Sequence, residues 1–212
     1  MEFNQIKGTY DVIFSLGKNC LAADQLSRHM LRTIGGVLDW VESPALSGVS
    51  QLLRNEFAHY MEFANLAITG INEHAGCYIV RDAAYHIFSH HDFPLQENAP
   101  DQLLSYPELR AKIARRVPRF LATLRSANRI LFIRTEATIH ETAELLEVLR
   151  SLVAGEFNVL VINHAPVSGI VETPWPFPNV CALQIPLVPD EFHDNDHLWK
   201  KLLEGFSVSA RY

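Results

Sequence analysis

The sequence lacks several features that mark common protein classes. It has only three cysteines, Cys20, Cys77 and Cys181, which lie far apart and include no CxxC pair. An odd, widely spaced set is typical of a reducing compartment and argues against a cysteine-rich zinc site. No apolar run approaches the roughly 18 residues of a membrane-spanning helix, and the amino terminus has no apolar segment of a secretory signal. These absences predict a cytoplasmic protein without a membrane span.

Positive charge is also scarce. The chain has 18 Lys and Arg against 24 Asp and Glu, which gives a formal net charge of −6. A nucleic-acid-binding surface needs clustered basic residues, so we expect no nucleic-acid partner. With 48% hydrophobic residues in 212 positions, the chain can build one sizeable core, and we predict a single domain over residues 1–212. Nothing in the composition predicts the oligomeric state.

Phosphate-binding, metal-binding and serine-hydrolase motifs are missing. The turn at 15–19 (SLGKN) has one glycine and fits neither a P-loop nor a dinucleotide-binding fingerprint, and no GxSxG elbow is present. His86, His90 and His91 lack HExxH spacing, and the ligand-rich segment 193–197 (HDNDH) has no partner motif. We therefore expect neither a metal ion nor another cofactor.

The hydrophobic pattern of the second half predicts a βαβ unit. Strands are predicted at 130–133 and 158–162, because the apolar runs ILFI and VLVI within them are typical of strands buried on both faces. Residues 138–152 have helical periodicity. Another strand is predicted at 180–185. A basic helix is predicted at 108–124, with a kink or a junction at Pro118. We predict an α/β or α+β fold in which helices pack around a central, partly parallel sheet.

The stretch 10–31 is the best candidate for a working site. Its pattern predicts a short buried strand at 12–14, a tight polar turn at 15–19, and helical spacing from Cys20 onward. Unpaired N–H groups and the positive end of a helix dipole would stabilise a thiolate at that position. The alternative is that Cys20 is a small apolar residue packed under the turn.

A second chemical signal is the segment 89–92 (SHHD), which follows a strand predicted at 84–88. A histidine there can accept the proton of a thiol, and an acid or amide partner would orient its ring. The residue pattern alone leaves His90 and His91 both open as the base. A metal-free Cys–His site is the chemistry that these two signals indicate together.

Candidates for a third polar group lie where predicted strands end. Asn163 and His164 follow one strand, and Arg134 and Glu136 end its neighbour, at the sheet edge where α/β proteins usually place functional groups. Either pair can instead cap a helix or form an ion pair. Asp39 and Trp40 are a further set that either anchors a loop, lines a pocket or belongs to the core.

The ordered segments resemble a bacterial family of domains described as papain-like cysteine peptidases. The matching pieces are YDVIFSLGKNCLAA at 10–23, LRTIGGVLDWVES at 31–43, YHIFSHHDFP at 85–94, RILFIRTE at 129–136 and FNVLVIN at 157–163. Val37 and Leu38 stand where this family has Pro-Phe before the Asp-Trp pair, which changes a packing position and no reacting group. The resemblance implies a papain-like cysteine at a helix amino terminus.

The same resemblance implies roles for individual residues. Cys20 is the implied nucleophile, His91 the implied base, and Asn163 the candidate for the third catalytic residue. Asn19 or the backbone N–H of Cys20 would stabilise an oxyanion. The positions expected to support this site are Ser15, Gly17, Asp39 and Asp92.

Three functions remain open at this level. The first is hydrolysis of a peptide or isopeptide bond by the Cys–His pair. The second is acyl transfer to a sugar or another small acceptor, as in papain-like polysaccharide O-acetyltransferases. The third is a non-catalytic domain with a structural cysteine. The first two imply a peptide or an acylated molecule as the partner.

Overall fold

The computed structural model describes residues 1–209. Its helices are α1 (Phe3–Ile6), α2 (Leu21–Arg28), α3 (Leu46–Arg54), α4 (Tyr106–Ser126), α5 (Ile139–Leu152) and α6 (Asp196–Leu203), with a short 3-10 helix at Phe63–Asn65. Its strands are β1 (Gly8–Tyr10), β2 (Val12–Ser15), β3 (Val41–Glu42), β4 (Leu66–Asn72), β5 (Cys77–Asp82), β6 (Ile87–Ser89), β7 (Arg129–Thr135), β8 (Glu156–Ala165), β9 (Val171–Thr173), β10 (Val180–Pro186) and β11 (Phe206–Val208).

The central sheet has five strands in the order β2-β7-β8-β10-β9. The first four are parallel, and β9 pairs antiparallel with β10. Alternate side chains of these strands enter two apolar clusters, one shared with α2 and α6 and the other with α3, α4 and α5. The predicted β7-α5-β8 crossover and the predicted mixed α/β architecture are therefore confirmed.

A second sheet is antiparallel and has the order β3-β6-β5-β4. Val80 and Ile87 from this sheet belong to the same apolar cluster as α3, α4 and α5. The two-residue strand β3 pairs with the end of β6, with Val41 opposite Ser89. Next to β3, the backbone N–H of Ser43 donates to the carbonyl of Lys18 at 3.0 Å, which joins this sheet to the turn after β2.

Some predicted elements differ from the structure. The strand predicted at 84–88 is shorter and later, because His86 has a left-handed φ of +53° in the turn before β6. The helix from Cys20 ends at Arg28 rather than near residue 31, since Met30 also has a positive φ. Of the kink or junction predicted at Pro118, the junction is wrong, because α4 runs as one continuous helix through Pro118; the kink stays a prediction.

The basic face of α4 is only partly solvated. Arg110 donates to the carbonyl of Tyr60 and Arg119 to that of Gly35, each at 2.7 Å. These bonds fasten two loops of the first half to the long helix. Within residues 1–209, no helix is both long and apolar enough to cross a membrane.

Candidate active site

A cleft of about 630 Å³ opens where the parallel strands end. One wall is the turn after β2, a second is the loop at 190–193 after β10, and the third is the end of the antiparallel sheet. Cys20 comes from the first wall, and His90 and His91 come from the third. The fold thus brings the cysteine and the histidine segment of the sequence analysis into one cleft.

Cys20 lies directly before α2 and is partly exposed. Burial raises the pKa of its thiol; its own backbone N–H opposes this shift, and the carboxylates of Asp24 and Glu191 add to it. The raised pKa is contrary to the expected stabilisation of a thiolate at the helix start, because desolvation and two nearby negative charges disfavour the charged sulfur.

The imidazole of His91 is suited to accept a proton. Desolvation lowers its pKa, and the positive charges that His90 and Lys112 can carry lower it further. At neutral pH the ring is therefore largely unprotonated and able to act as a base. A protonated thiol beside a neutral imidazole is a different resting state from a thiolate–imidazolium pair.

This resting state predicts how the alkylation of Cys20 depends on pH. Because the thiol pKa is raised, the rate with iodoacetamide should climb about tenfold per pH unit from pH 6 to pH 8.5, following the thiolate fraction. The measurement is intact-mass spectrometry at a series of pH values, with Cys20 identified by peptide mapping. A rate that stays level down to about pH 5 would instead indicate a preformed ion pair.

The histidine segment is held by the carboxylate of Asp92. Ser89 donates its hydroxyl to Asp92 Oδ2 at 2.6 Å, and Lys112 of α4 forms an ion pair with Asp92 Oδ1. Asp92 therefore fixes the turn that carries His91 instead of contacting its ring. This placement is consistent with the supporting role expected for Asp92.

Buried groups hold the turn before Cys20 in place from the protein interior. Gly17 has a φ of +54°, and a Cβ atom there would collide with the carbonyl oxygen of Leu38. Its N–H donates to Ser15 Oγ at 3.2 Å. Arg134, fully buried at the end of β7, donates to the carbonyl of Leu16 at 2.9 Å. Ser15 and Gly17 therefore shape the turn without entering the cleft.

Arg134 also holds β3 against this turn. Its guanidinium donates to Ser43 Oγ at 2.6 Å and to the Ser43 carbonyl at 2.8 Å, while the Ser43 hydroxyl donates to the carbonyl of Gly17. One side chain therefore links the turn before Cys20 to the sheet that carries the histidines. It forms no ion pair with Glu136 in the described part of the chain, so that alternative is not realised.

Asn19 uses its side-chain amide for local structure. Its Oδ1 accepts from the N–H of Leu21 at 3.0 Å, which caps the first turn of α2. Its Nδ2 donates to Glu191 Oε1 at 2.7 Å and thereby fastens the loop at 190–193. One of its two amide hydrogens is thus already engaged, which leaves the other for a substrate.

Asn163 and Asp39 lie outside the lining of the cleft. Asn163 Oδ1 accepts from the N–H of Ala137, and its Nδ2 donates to the Ala137 carbonyl, each at 2.9 Å. Asp39 is buried and accepts from the N–H of Gly36 and from Arg32 Nε, each at 2.7 Å. The structure places both as anchors of loops, and gives no geometric support for Asn163 as the third catalytic residue.

The other polar groups at the sheet edge form a separate pair. His164 Nδ1 lies 2.5 Å from Glu136 Oε1, and Glu136 has a φ of +56°. The His164 side chain is buried, and neither residue lines the cleft. Among the described residues, no three His, Cys, Asp or Glu side chains are placed to hold one metal ion.

Two residues of this region were not found from the sequence. Glu42 lines the cleft and binds His90, and Ser43 binds Arg134. Both belong to the segment WVES, whose pairing with β6 has no periodic signal over only two residues. Trp40, in contrast, lines the cleft, which is one of the three alternatives that the sequence left open for Asp39 and Trp40.

Comparisons with known proteins are consistent with this site. The sequence profile of a family described as "Putative papain-like cysteine peptidase" matches residues 11–166. An uncharacterized protein of Acanthamoeba polyphaga mimivirus, R408, is 26% identical over 178 residues, which covers 74% of this chain and 79% of that protein. No solved structure matches the chain.

Proposed function

Since the chain belongs to the family of papain-like cysteine peptidases that this profile describes, we propose that it is a cysteine hydrolase in which Cys20 is the nucleophile and His91 the base. The observation that carries the proposal is the shared cleft, which both side chains line although they follow strands of different sheets. The proposed substrate is a peptide or isopeptide bond; the family description, which names a peptidase, supports the peptide bond.

The protonation states give the first step. The neutral imidazole of His91 accepts the proton of the Cys20 thiol as the sulfur attacks the acyl carbonyl. Because the thiol is not ionised in advance, the base has to act at the moment of attack. The backbone N–H of Cys20 and the second amide hydrogen of Asn19 are the donors that we assign to the oxyanion.

The second step releases the product. Collapse of the tetrahedral intermediate breaks the carbon–nitrogen bond, and the amine takes up a proton from a donor in the cleft as it leaves, with the acyl group kept on Cys20 as a thioester. Water then attacks the thioester and gives up a proton, which restores that donor, and the proton held by His91 returns to the sulfur as the carbon–sulfur bond breaks. The cleft is open to solvent, so water reaches the acyl group without a rearrangement of the fold.

The test is acetylation of the wild-type protein by p-nitrophenyl acetate. We expect a hydroxylamine-sensitive acetyl group on Cys20, found by peptide mapping after rapid acid quench. Cys77 and Cys181 are internal controls, because both are buried, and burial raises the pKa of the Cys181 thiol to about 12. Cys20→Ser should remove the thioester.

The outcomes separate the functional classes. A thioester on Cys20 that hydrolyses in water supports a hydrolase. A thioester that persists until a sugar or an amine is added would favour acyl transfer instead. Acetylation of lysines alone, with Cys20 unmodified, would contradict both enzymatic functions and leave a structural cysteine.

A further inference from the structure

The two neighbouring histidines of the cleft have different partners. His90 Nε2 lies 2.7 Å from Glu42 Oε2, and both side chains are partly buried. His91 forms no side-chain hydrogen bond within residues 1–209, although it lines the same cleft. One imidazole is therefore held by a carboxylate, and the other is not.

Strand pairing keeps Glu42 in place. β3 and β6 pair antiparallel, with Glu42 opposite Phe88, so the carboxylate and the residue that follows β6 meet at one end of the sheet. Ser43, the next residue, is bound by Arg134 and by the carbonyl of Lys18. The Glu42–His90 pair is thus tied to the turn that carries Cys20.

The carboxylate of Glu42 holds the imidazole ring of His90 in one orientation. The positive charge that His90 can carry is also part of the cause of the lowered pKa of His91. The two adjacent imidazoles therefore lie in different electrostatic environments, one beside a carboxylate and one without a carboxylate partner among the described residues. Enzymes commonly assign the acid role and the base role to two titratable groups whose environments differ.

From this arrangement we infer that the two histidines divide the proton transfers, with Glu42-bound His90 as the general acid that protonates the leaving group and His91 as the base for the thiol. This inference rests on the proposed function and assigns its second proton transfer. Glu42 is a positioning residue, since it acts through the ring of His90.

The protons balance over one turnover. In acylation, the Cys20 proton passes to His91 as the carbon–sulfur bond forms, and His90 gives its proton to the leaving atom as the bond to that atom breaks. In deacylation, a water molecule gives a proton to His90 as its oxygen bonds to the acyl carbon. The carbon–sulfur bond then breaks, and His91 returns its proton to the sulfur.

The test compares leaving groups that need a proton with leaving groups that do not. The rate of Cys20 acetylation is measured by rapid quench and mass spectrometry with p-nitrophenyl acetate and with phenyl acetate. His90→Gln keeps a hydrogen bond to Glu42 but has no proton to transfer. It should slow the phenyl ester about 10- to 100-fold and the p-nitrophenyl ester less than about threefold.

Two further variants make the result specific. Glu42→Gln should also slow acetylation by phenyl acetate more than acetylation by p-nitrophenyl acetate. The difference should be smaller than in His90→Gln, since this variant removes only the carboxylate. The matched control is His140→Gln, because His140 pairs with Glu144 on the exposed side of α5, away from the cleft. It should leave both rates unchanged.

Other outcomes would overturn the inference. An equal loss for both esters in His90→Gln would assign His90 to the base or to a structural role, and no loss would exclude it from catalysis. If wild-type Cys20 accepts no acetyl group from either ester, the proposed function is contradicted, and the inference falls with it. If Cys20 is acetylated but the rate does not depend on His90, only the inference is contradicted.

Discussion

Arg134→Met is expected to lower the free energy of unfolding by about 3 kcal/mol and to slow acetylation of Cys20 by at least about tenfold. The substitution leaves the carbonyls of Leu16 and Ser43 and the Ser43 hydroxyl without their buried donor. Each orphaned buried acceptor costs about 1–3 kcal/mol, partly offset because the buried guanidinium no longer has to be desolvated. Urea denaturation gives the first quantity and quenched acetylation the second.

Two comparisons distinguish the loss of the Arg134 hydrogen bonds from general unfolding. Arg150→Met replaces an exposed arginine of α5 and should change neither quantity. Ser43→Ala keeps Arg134 but removes one of its partners, so the chain should stay folded while acetylation slows. If Arg134→Met leaves both stability and acetylation at wild-type values, the guanidinium does not hold the turn after β2 to β3.

The central sheet was predictable because its strands are buried on both faces. The middles of strands β7 and β8, residues 130–133 and 159–162, appear in the sequence as apolar runs. Helix α5 between them is capped by Thr138, whose side chain accepts from the N–H of Glu141. The antiparallel sheet was less predictable. Strands β4 and β5 are only partly buried, so neither apolar runs nor strict alternation mark their ends.

Only those parts of the candidate site that local sequence patterns or the family resemblance indicate could be predicted. The family named from the motifs at 10–23 and 85–94 is confirmed by the profile match. The statements that this family is bacterial and that these motifs define it stay predictions. The rule that functional groups collect at the carboxyl edge of parallel strands also singled out Asn163, but it does not say where a side chain points. The Asn163 amide is complementary to the backbone of Ala137 and binds there instead.

Glu42 could not be found in this way, because its significance depends on a long-range pairing. A two-residue strand has no period, and His90 is 48 positions away. The raised pKa of the Cys20 thiol follows first from burial and then from the carboxylates of Asp24 and Glu191. Asp24 is visible in the sequence near Cys20, whereas burial and the approach of Glu191 depend on the fold.

His91→Gln is expected to slow acetylation of Cys20 by p-nitrophenyl acetate about 10²- to 10⁴-fold at pH 7, the usual range for a lost general base. Cys20→Ala should abolish thioester formation altogether. The expected loss in His91→Gln is large because the raised pKa of the thiol leaves little thiolate to react without a base. Both rates are measured by quenched acetylation, with the exposed-surface variant His140→Gln as the control.

The pH dependence of that loss decides what His91 does. As pH rises toward and beyond the pKa of the Cys20 thiol, the thiolate forms without help, so the base contributes less. The ratio of wild-type to His91→Gln rates should therefore fall steadily between pH 7 and pH 9.5. A ratio that stays constant over this range would mean that His91 does not take the thiol proton, and would point to a role in shaping the cleft or in binding the ester.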